Sequence, residues 1–303
     1  MSELRKILLA GIDNAGKSSI IHILKKNYSF LNKLKPTKGI ERTSSKVLGI
    51  DFVIWDMGGQ EQYIKQYFER KDFIFNELSL LFFVVDMQDA ERFDNTLSYF
   101  DRIISAFKEF QQSPNIIIFF HKVDPDIEHS SEIELYIKDL TKKIRISAEG
   151  FNVAFFETSI FRRWSIIGAF SYGIRSLFEE HVAKISDYLR TWADTFGATA
   201  AQLMTVDDVV ISDFSRDSES AVILNQYVEE LRKIYAVSQK PVIIKLDGDF
   251  LTLNPLRIGD FSLHLIKYTN NPNISEADFT KPIPEESIND VKDVLANFFR
   301  KFD

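Results

Sequence analysis

Gly11, Ile12, Asp13, Asn14, Ala15, Gly16, Lys17 and Ser18 form a Gly-x-x-x-x-Gly-Lys-Ser run, the pattern of a loop that grips phosphate groups. The glycines let the backbone wrap an anion, and successive N–H groups at a helix N-terminus turn positive dipole ends toward it. In such a loop the Lys17 ammonium reaches β- and γ-phosphates and the Ser18 hydroxyl oxygen binds Mg2+. Asp13, Asn14, Ala15, Gly16, Lys17, Ser18 and Ser19 are the residues expected around the phosphates.

Four further segments follow in an order that fits one site. Asp56-Met57-Gly58-Gly59-Gln60 closes an apolar run. Asp56 there can hold Mg2+ through water, Gly59 can offer its N–H to a γ-phosphate, and Gln60 can orient an attacking water. Pro36-Thr37-Lys38-Gly39 brings a threonine that can close over the metal and the γ-phosphate, with Thr43 as its competitor. His121-Lys122-Val123-Asp124 ends another apolar run. The Asp124 carboxylate can accept guanine N1–H and N2–H2, and the aliphatic stem of Lys122 can lie against the base. Thr158-Ser159-Ile160 adds a backbone N–H for guanine O6. Catalysis would rest on Gln60, Gly59 and Lys17, and metal binding on Ser18, Thr37 and Asp56.

These segments need a scaffold that aligns strand ends. Lys6–Ala10 reads as a strand and Lys17–Lys26 as a helix, so the phosphate loop sits between them. Arg42–Leu48 and Asp51–Trp55 read as a hairpin turning near Gly49. Leu78–Asp86, Asn115–His121 and Asn152–Thr158 are near-continuous apolar runs, as in strands buried on both faces. Helical periodicity marks Asp94–Glu109, Ser131–Ile146 and Arg162–Glu179. The alternation predicts an α/β fold with ligands at the carboxyl ends of a mostly parallel sheet.

Composition narrows the function. The 303 residues favour two domains, and the chain has 45% hydrophobic and 27% charged residues, a globular profile. The net charge of -7 lies mostly beyond His181, where 13 basic face 19 acidic residues; no clustered basic face suits nucleic acid. With no cysteine, disulfides, thiolate metal sites, palmitoylation and prenylation are all ruled out. Ser2 stands where myristoylation needs Gly, and no apolar run approaches the ~20 residues of a membrane span. A cytoplasmic protein without its own membrane anchor is expected, recruited to a membrane surface only by partners.

The five segments resemble those of small GTPases of the Ras superfamily. Gly11–Ser19, Pro36–Gly39 and Trp55–Gln60 are similar to Arf-type motifs, whose phosphate loop tolerates Asp at the position of Asp13. Gln60-Glu61-Gln62-Tyr63, Tyr67-Phe68, Ile74-Phe75, His121-Lys122-Val123-Asp124 and Thr158-Ser159-Ile160 with Trp164-Ser165 are similar to the Rag/Gtr family, in which His replaces the usual Asn of the guanine motif. The resemblance implies a P-loop GTPase fold over residues 1–182, a six-stranded sheet with helices on both faces. It also implies an α/β roadblock or longin-like dimerisation domain over residues 183–303. The implied function is a switch that binds GTP or GDP with Mg2+ and slowly hydrolyses GTP. Implied partners are a sister chain in a homo- or heterodimer, and activating and exchange proteins. The alternative is a nucleotide-bound scaffold with negligible hydrolysis; a P-loop kinase would leave Lys122-Val123-Asp124 without a purpose.

Beyond His181 the pattern is helix (Ser186–Phe196, ended by Gly197), strands Thr199–Thr205 and Val209–Phe214, a helix carrying Leu224, Tyr227, Val228, Leu231, Ile234 and Tyr235, then three strands. Asp247-Gly248 marks a hairpin between Val242–Leu246 and Phe250–Leu253. Phe261, Leu263 and Leu265 alternate along the third strand, which puts His264 on its polar face, at the surface. Asn270–Glu286 reads as a long loop, and Ser287 with Asp290 as a capping box opening a last helix through Phe299.

Overall fold

Phe82 and Phe83 explain why the apolar runs are continuous: neighbours along a strand point to opposite faces, and here both faces are covered. Phe82 stacks at 5.4 Å on Phe170, while Phe83 meets Phe100 edge-on at 5.0 Å. Both rings are buried, and each burial stabilises the fold by about 1.5–3 kcal/mol.

The computed structural model describes residues 5–25, 38–47, 50–258 and 261–284, with Ile288, Val291 and Lys292. The chain forms two compact units, one holding most of the residues up to Leu177 and the other beginning at Phe178.

In the first unit the elements are β1 (Arg5–Ala10), α1 (Lys17–Leu24), β2 (Ile40–Val47), β3 (Ile50–Met57), α2 (Glu61–Glu69), α3 (Lys71–Phe75) and β4 (Leu78–Asp86). A 3-10 turn (Ala90–Arg92) leads into α4 (Phe93–Glu109), β5 (Asn115–His121), α5 (Ser131–Ser147), β6 (Val153–Thr158) and α6 (Arg163–Arg175). The six strands lie in the order β2-β3-β1-β4-β5-β6. β1 runs parallel to β3 and β4, β4 to β5, and β5 to β6, which is the mostly parallel α/β fold expected. Register does the positioning. Leu9 pairs with Asp56, Asp86 with His121, and His121 with Thr158, so these polar strand ends share the carboxyl edge of the sheet. Helix α4 buries Thr96, Tyr99, Phe100, Ile103, Ile104 and Phe107, the stripe of an amphipathic helix laid on a sheet.

The second unit contains α7 (Glu179–Phe196), β7 (Ala200–Thr205), β8 (Val210–Ser215), α8 (Ser218–Ser238), β9 (Val242–Leu246), β10 (Asp249–Ile258), β11 (Phe261–Thr269) and α9 (Glu276–Phe279). Its antiparallel sheet has the order β8-β7-β11-β10-β9. Gly197 ends α7 in the left-handed conformation at φ 62, and the Asp217 side chain caps α8 by accepting from Ser220 N at 2.7 Å.

Several expectations are corrected here. Helix α7 starts at Glu179, earlier than Ser186. Strand β10 runs through Pro255 to Ile258 because β9 pairs only as far as Leu253, so no β9 neighbour meets the missing proline N–H. The segment Asn270–Glu286 is not all loop: Ser275 caps the one-turn α9, whose Phe279 is buried. His264 is not at the surface. It lies beneath α8, 4.7 Å from the Tyr235 ring and in contact with the Arg232 guanidinium, because helices cover both faces of this sheet. On the opposite face Lys267 is also buried, its Nζ 3.8 Å from the Phe196 ring centroid and donating to Phe279 O at 2.6 Å. Ile288, Val291 and Lys292 are helical; the rest of the expected Ser287–Phe299 helix, with the Ser287–Asp290 box, lies outside the described residues. Among the described residues no helix is long and apolar enough to cross a membrane.

Candidate functional site

The phosphate-loop sequence leaves β1 at Gly11 and enters α1 at Lys17. Gly16, at φ 94, adopts a conformation that side-chain-bearing residues avoid. Space forbids a side chain there as well, since a Cβ would lie 2.4 Å from His121 Cδ2. Asn14 is left-handed too, at φ 62. Ala15 is buried, with its N–H 3.4 Å from Ile12 O, and Ser19 occupies the first turn of α1. Lys17 is buried and its Nζ donates to Gly11 O at 3.0 Å and Ile12 O at 2.8 Å. Burial pulls its pKa down to about 8, against the opposing pull of the Asp56 and Asp13 carboxylates. An ammonium caged by carbonyl oxygens can exchange those for anionic oxygens of higher charge.

At the end of β3, Asp56 is buried and accepts from Ser18 Oγ at 3.0 Å. A hydroxyl and a carboxylate are both hard oxygen donors, the set that Mg2+ takes when phosphates and water complete its shell. Among the described residues no cluster of three or more His, Asp or Glu could hold a metal by itself. Gly59 packs directly on the loop: its carbonyl accepts from Asp13 N at 3.0 Å, and a Cβ on it would lie 2.1 Å from Asp13 N. Only glycine fits so close an approach. Gln60 is the N-cap residue of α2, half-buried, its carbonyl accepting from Tyr63 and Ile64 N. Thr37 lies outside the described residues, and Thr43 falls within β2. Gly39, the last residue of the Thr37 segment, accepts from Gly58 N, just past β3, at 2.8 Å and from the Tyr67 hydroxyl of α2 at 2.7 Å.

At the other end of the edge, His121 is buried and its Nδ1 sits 3.0 Å from Thr158 Oγ1. Burial and the neighbouring Lys122 ammonium push its pKa down to about 4, so the ring is neutral at ordinary pH. Lys122 is left-handed at φ 64 and its Nζ pairs with Asp86. Asp124 accepts from Ser159 Oγ through one oxygen and from Gln88 Nε2, at 2.9 Å, through the other. Ser159 N in turn donates to the Ser165 hydroxyl oxygen at 3.0 Å. Ile160 lies in the turn closed by Arg162 N and Ser159 O at 3.1 Å.

The loop residues, Asp56, Gly59 and Gln60 thus gather at one end of the edge, and His121, Lys122, Asp124, Thr158, Ser159 and Ile160 beside them. Sequence reasoning missed Gln88 and Arg92, and noted Tyr67 only as part of the family resemblance. Gln88 donates to both Asp124 and Lys122 O, and Arg92 holds Asp13. The one available signal was that Asp86 ends a parallel strand, so the connection after it also borders the carboxyl edge.

A family model described as the Gtr1/RagA G protein conserved region matches residues 6–234. The chain is 25% identical over 281 residues to GTP-binding protein gtr1 of Schizosaccharomyces pombe, covering 88% of this chain and 86% of that protein. It is 28% identical over 182 residues to GTP-binding protein GTR2 of Saccharomyces cerevisiae, covering 57% of this chain and 51% of that one. ADP-ribosylation factor F of Dictyostelium discoideum is 31% identical over 122 residues, 39% of this chain and 60% of that protein.

Proposed function

The chain belongs to the Gtr1/RagA G protein family, and from that premise we propose a guanine-nucleotide switch that binds GTP or GDP with Mg2+ and slowly hydrolyses GTP. One arrangement carries the reading. The His121 ring lies against Gly16 while its Nδ1 meets Thr158, so the base-reading segment and the phosphate loop are braced at a fixed separation.

In this reading Lys17 turns from the Gly11 and Ile12 carbonyls to the β- and γ-phosphates. Ser18 and, through water, Asp56 would hold Mg2+, with Thr37 as the expected third oxygen donor. When bound, the metal neutralises charge on the β- and γ-oxygens. Asp124, oriented by Ser159 and Gln88, accepts the guanine N1–H and N2–H2 protons, and Ser159 and Ile160 border O6. Gln60 orients the water. The water oxygen bonds to the γ-phosphorus as the bond to the bridging oxygen breaks; that electron pair stays on GDP, and both water protons leave with the phosphate as H2PO4−. Unassisted GTPases of this kind turn over at ~10⁻⁴ s⁻¹, and an activating partner adds up to ~10⁵-fold.

The second unit serves in this reading as the dimerisation module, with a like or sister chain as partner. Thermal shifts with GTP, GDP and ATP in Mg2+, followed by single-turnover phosphate release, test the reading. Stabilisation by GTP and GDP with slow release supports it, stabilisation without release reduces the protein to a nucleotide-bound scaffold, and equal stabilisation by ATP contradicts guanine recognition.

A further inference from the structure

Asp13 brings a carboxylate into a loop built to receive phosphates. Like charges at such range repel strongly in a partly buried site, so the loop must either exclude the carboxylate from the ligand's field or neutralise it. Arg92 is placed to neutralise it. Its Nη2 bonds the Asp13 carboxylate, and its Nη1 lies 3.3 Å from Asp13 O. Asp89 flanks the same guanidinium at 3.6 Å.

The arginine is presented by a set backbone. Arg92 N donates to Asp89 O at 3.1 Å, closing the 3-10 turn, and Arg92 O accepts from Thr96 Oγ1 at 2.9 Å in the first turn of α4. Its side chain is about one-third exposed and that of Asp13 just under half, so water screens the pair only in part. Asp13 also donates its N–H to Gly59 O at 3.0 Å. The pair therefore lies where the phosphate loop meets the end of β3, beside the expected γ-phosphate position rather than the base.

We infer that Arg92 is a specificity-determining residue of the phosphate site, the counter-ion in cis that cancels the Asp13 carboxylate and lets the loop accept a triphosphate. The inference rests on the nucleotide-switch reading above. A solvated surface pair would contribute little to anything; a counter-ion beside the terminal phosphate must discriminate between triphosphate and diphosphate.

The test is a set of variants of the full chain titrated in Mg2+ with fluorescent GDP and a non-hydrolysable GTP analogue. Arg92→Ala should weaken the analogue by about tenfold or more and GDP by less than about threefold, because the uncovered carboxylate opposes the γ-phosphate most. Arg92→Gln, which keeps the side chain's bulk, should behave alike and stands in if the alanine variant does not fold. Adding Asp13→Asn to either variant should restore the analogue to within about threefold of the parent, since the charge needing cover is gone. Unchanged binding in the single variants overturns the proposal. A double variant as weak as the single one also overturns it, because the arginine then acts otherwise than through Asp13. A parent chain that binds neither nucleotide refutes the nucleotide-switch reading instead, and does so before any variant is compared.

Discussion

The His121 ring occupies the space that a side chain at Gly16 would need, with His121 Cδ2 only 2.4 Å from where that Cβ would stand. A residue at the end of β5 thereby sets the shape of the loop after β1, although β4 lies between those strands. The contact gives a physical role to a histidine at the position where related GTPases carry Asn: a flat neutral ring that fits against bare backbone and still reaches Thr158.

That burial has a pH signature. The folded-state pKa of His121 is lowered to about 4 from 6.5, so as pH falls below 6.5 the unfolded chain takes up a proton that the folded site refuses. Stability from this group is fully present above 6.5 and is lost as pH drops toward 4, to a total of about 3 kcal/mol. Chemical denaturation between pH 7 and 4 should therefore show a shallower loss for His121→Asn than for the parent. Parallel curves would mean the ring titrates freely in the folded protein.

Ser18 and Gln60 separate binding from chemistry. Ser18→Asn removes the hydroxyl that now meets Asp56 Oδ2 at 3.0 Å, and should weaken GTP more than GDP because the triphosphate depends more on the metal. Gln60→Leu should slow single-turnover phosphate release while GTP affinity stays within about threefold, the signature of an interaction made only in the transition state. An unchanged release rate in the leucine variant would show that another group positions the water.

Much of the site was legible because its motifs are local. The phosphate loop carries its own glycines and lysine, and the Asp56, His121 and Thr158 segments each end an apolar run, so a parallel sheet puts them on one edge. Arg92 and Gln88 were not legible, because their contacts to Asp13 and Asp124 cross to other loops of that edge and no spacing encodes them. His264 was misplaced for a related reason. Alternation marks one apolar face of β11, but it says nothing about whether a helix covers the other, and α8 does. The polar residues Arg232, Asp208 and His264 bury there by pairing with one another, which hydrophobic patterning cannot announce.

The second unit also changes how dimerisation should be probed. Strand β8 is an edge of its sheet, but Val210 and Ile211 are only 6% and 1% exposed. Glu at either position should unfold the unit rather than split a dimer. Val222 and Val237 on α8 are 64% and 89% exposed, so Glu there costs little folding stability. A fragment starting at Phe178, to keep all of α7, should dimerise at micromolar concentration in light scattering. Val222→Glu with Val237→Glu should yield monomers with an unchanged melting midpoint if α8 forms the interface. A monomer at every concentration refutes homodimerisation.

Competition between GTP and ATP in Mg2+ tests the central claim most directly, because in this account the Asp124 carboxylate, aided by the backbone N–H near O6, separates the two ligands chemically. Left facing adenine, the Asp124 lone pairs not used by Ser159 and Gln88 would meet no matching base donor, and mismatches of that kind give discrimination of roughly 10⁴. The parent chain should therefore prefer GTP by at least ~10³-fold, and Asp124→Asn should erode that preference in favour of xanthine nucleotides. Equal competition by ATP and GTP would contradict the account.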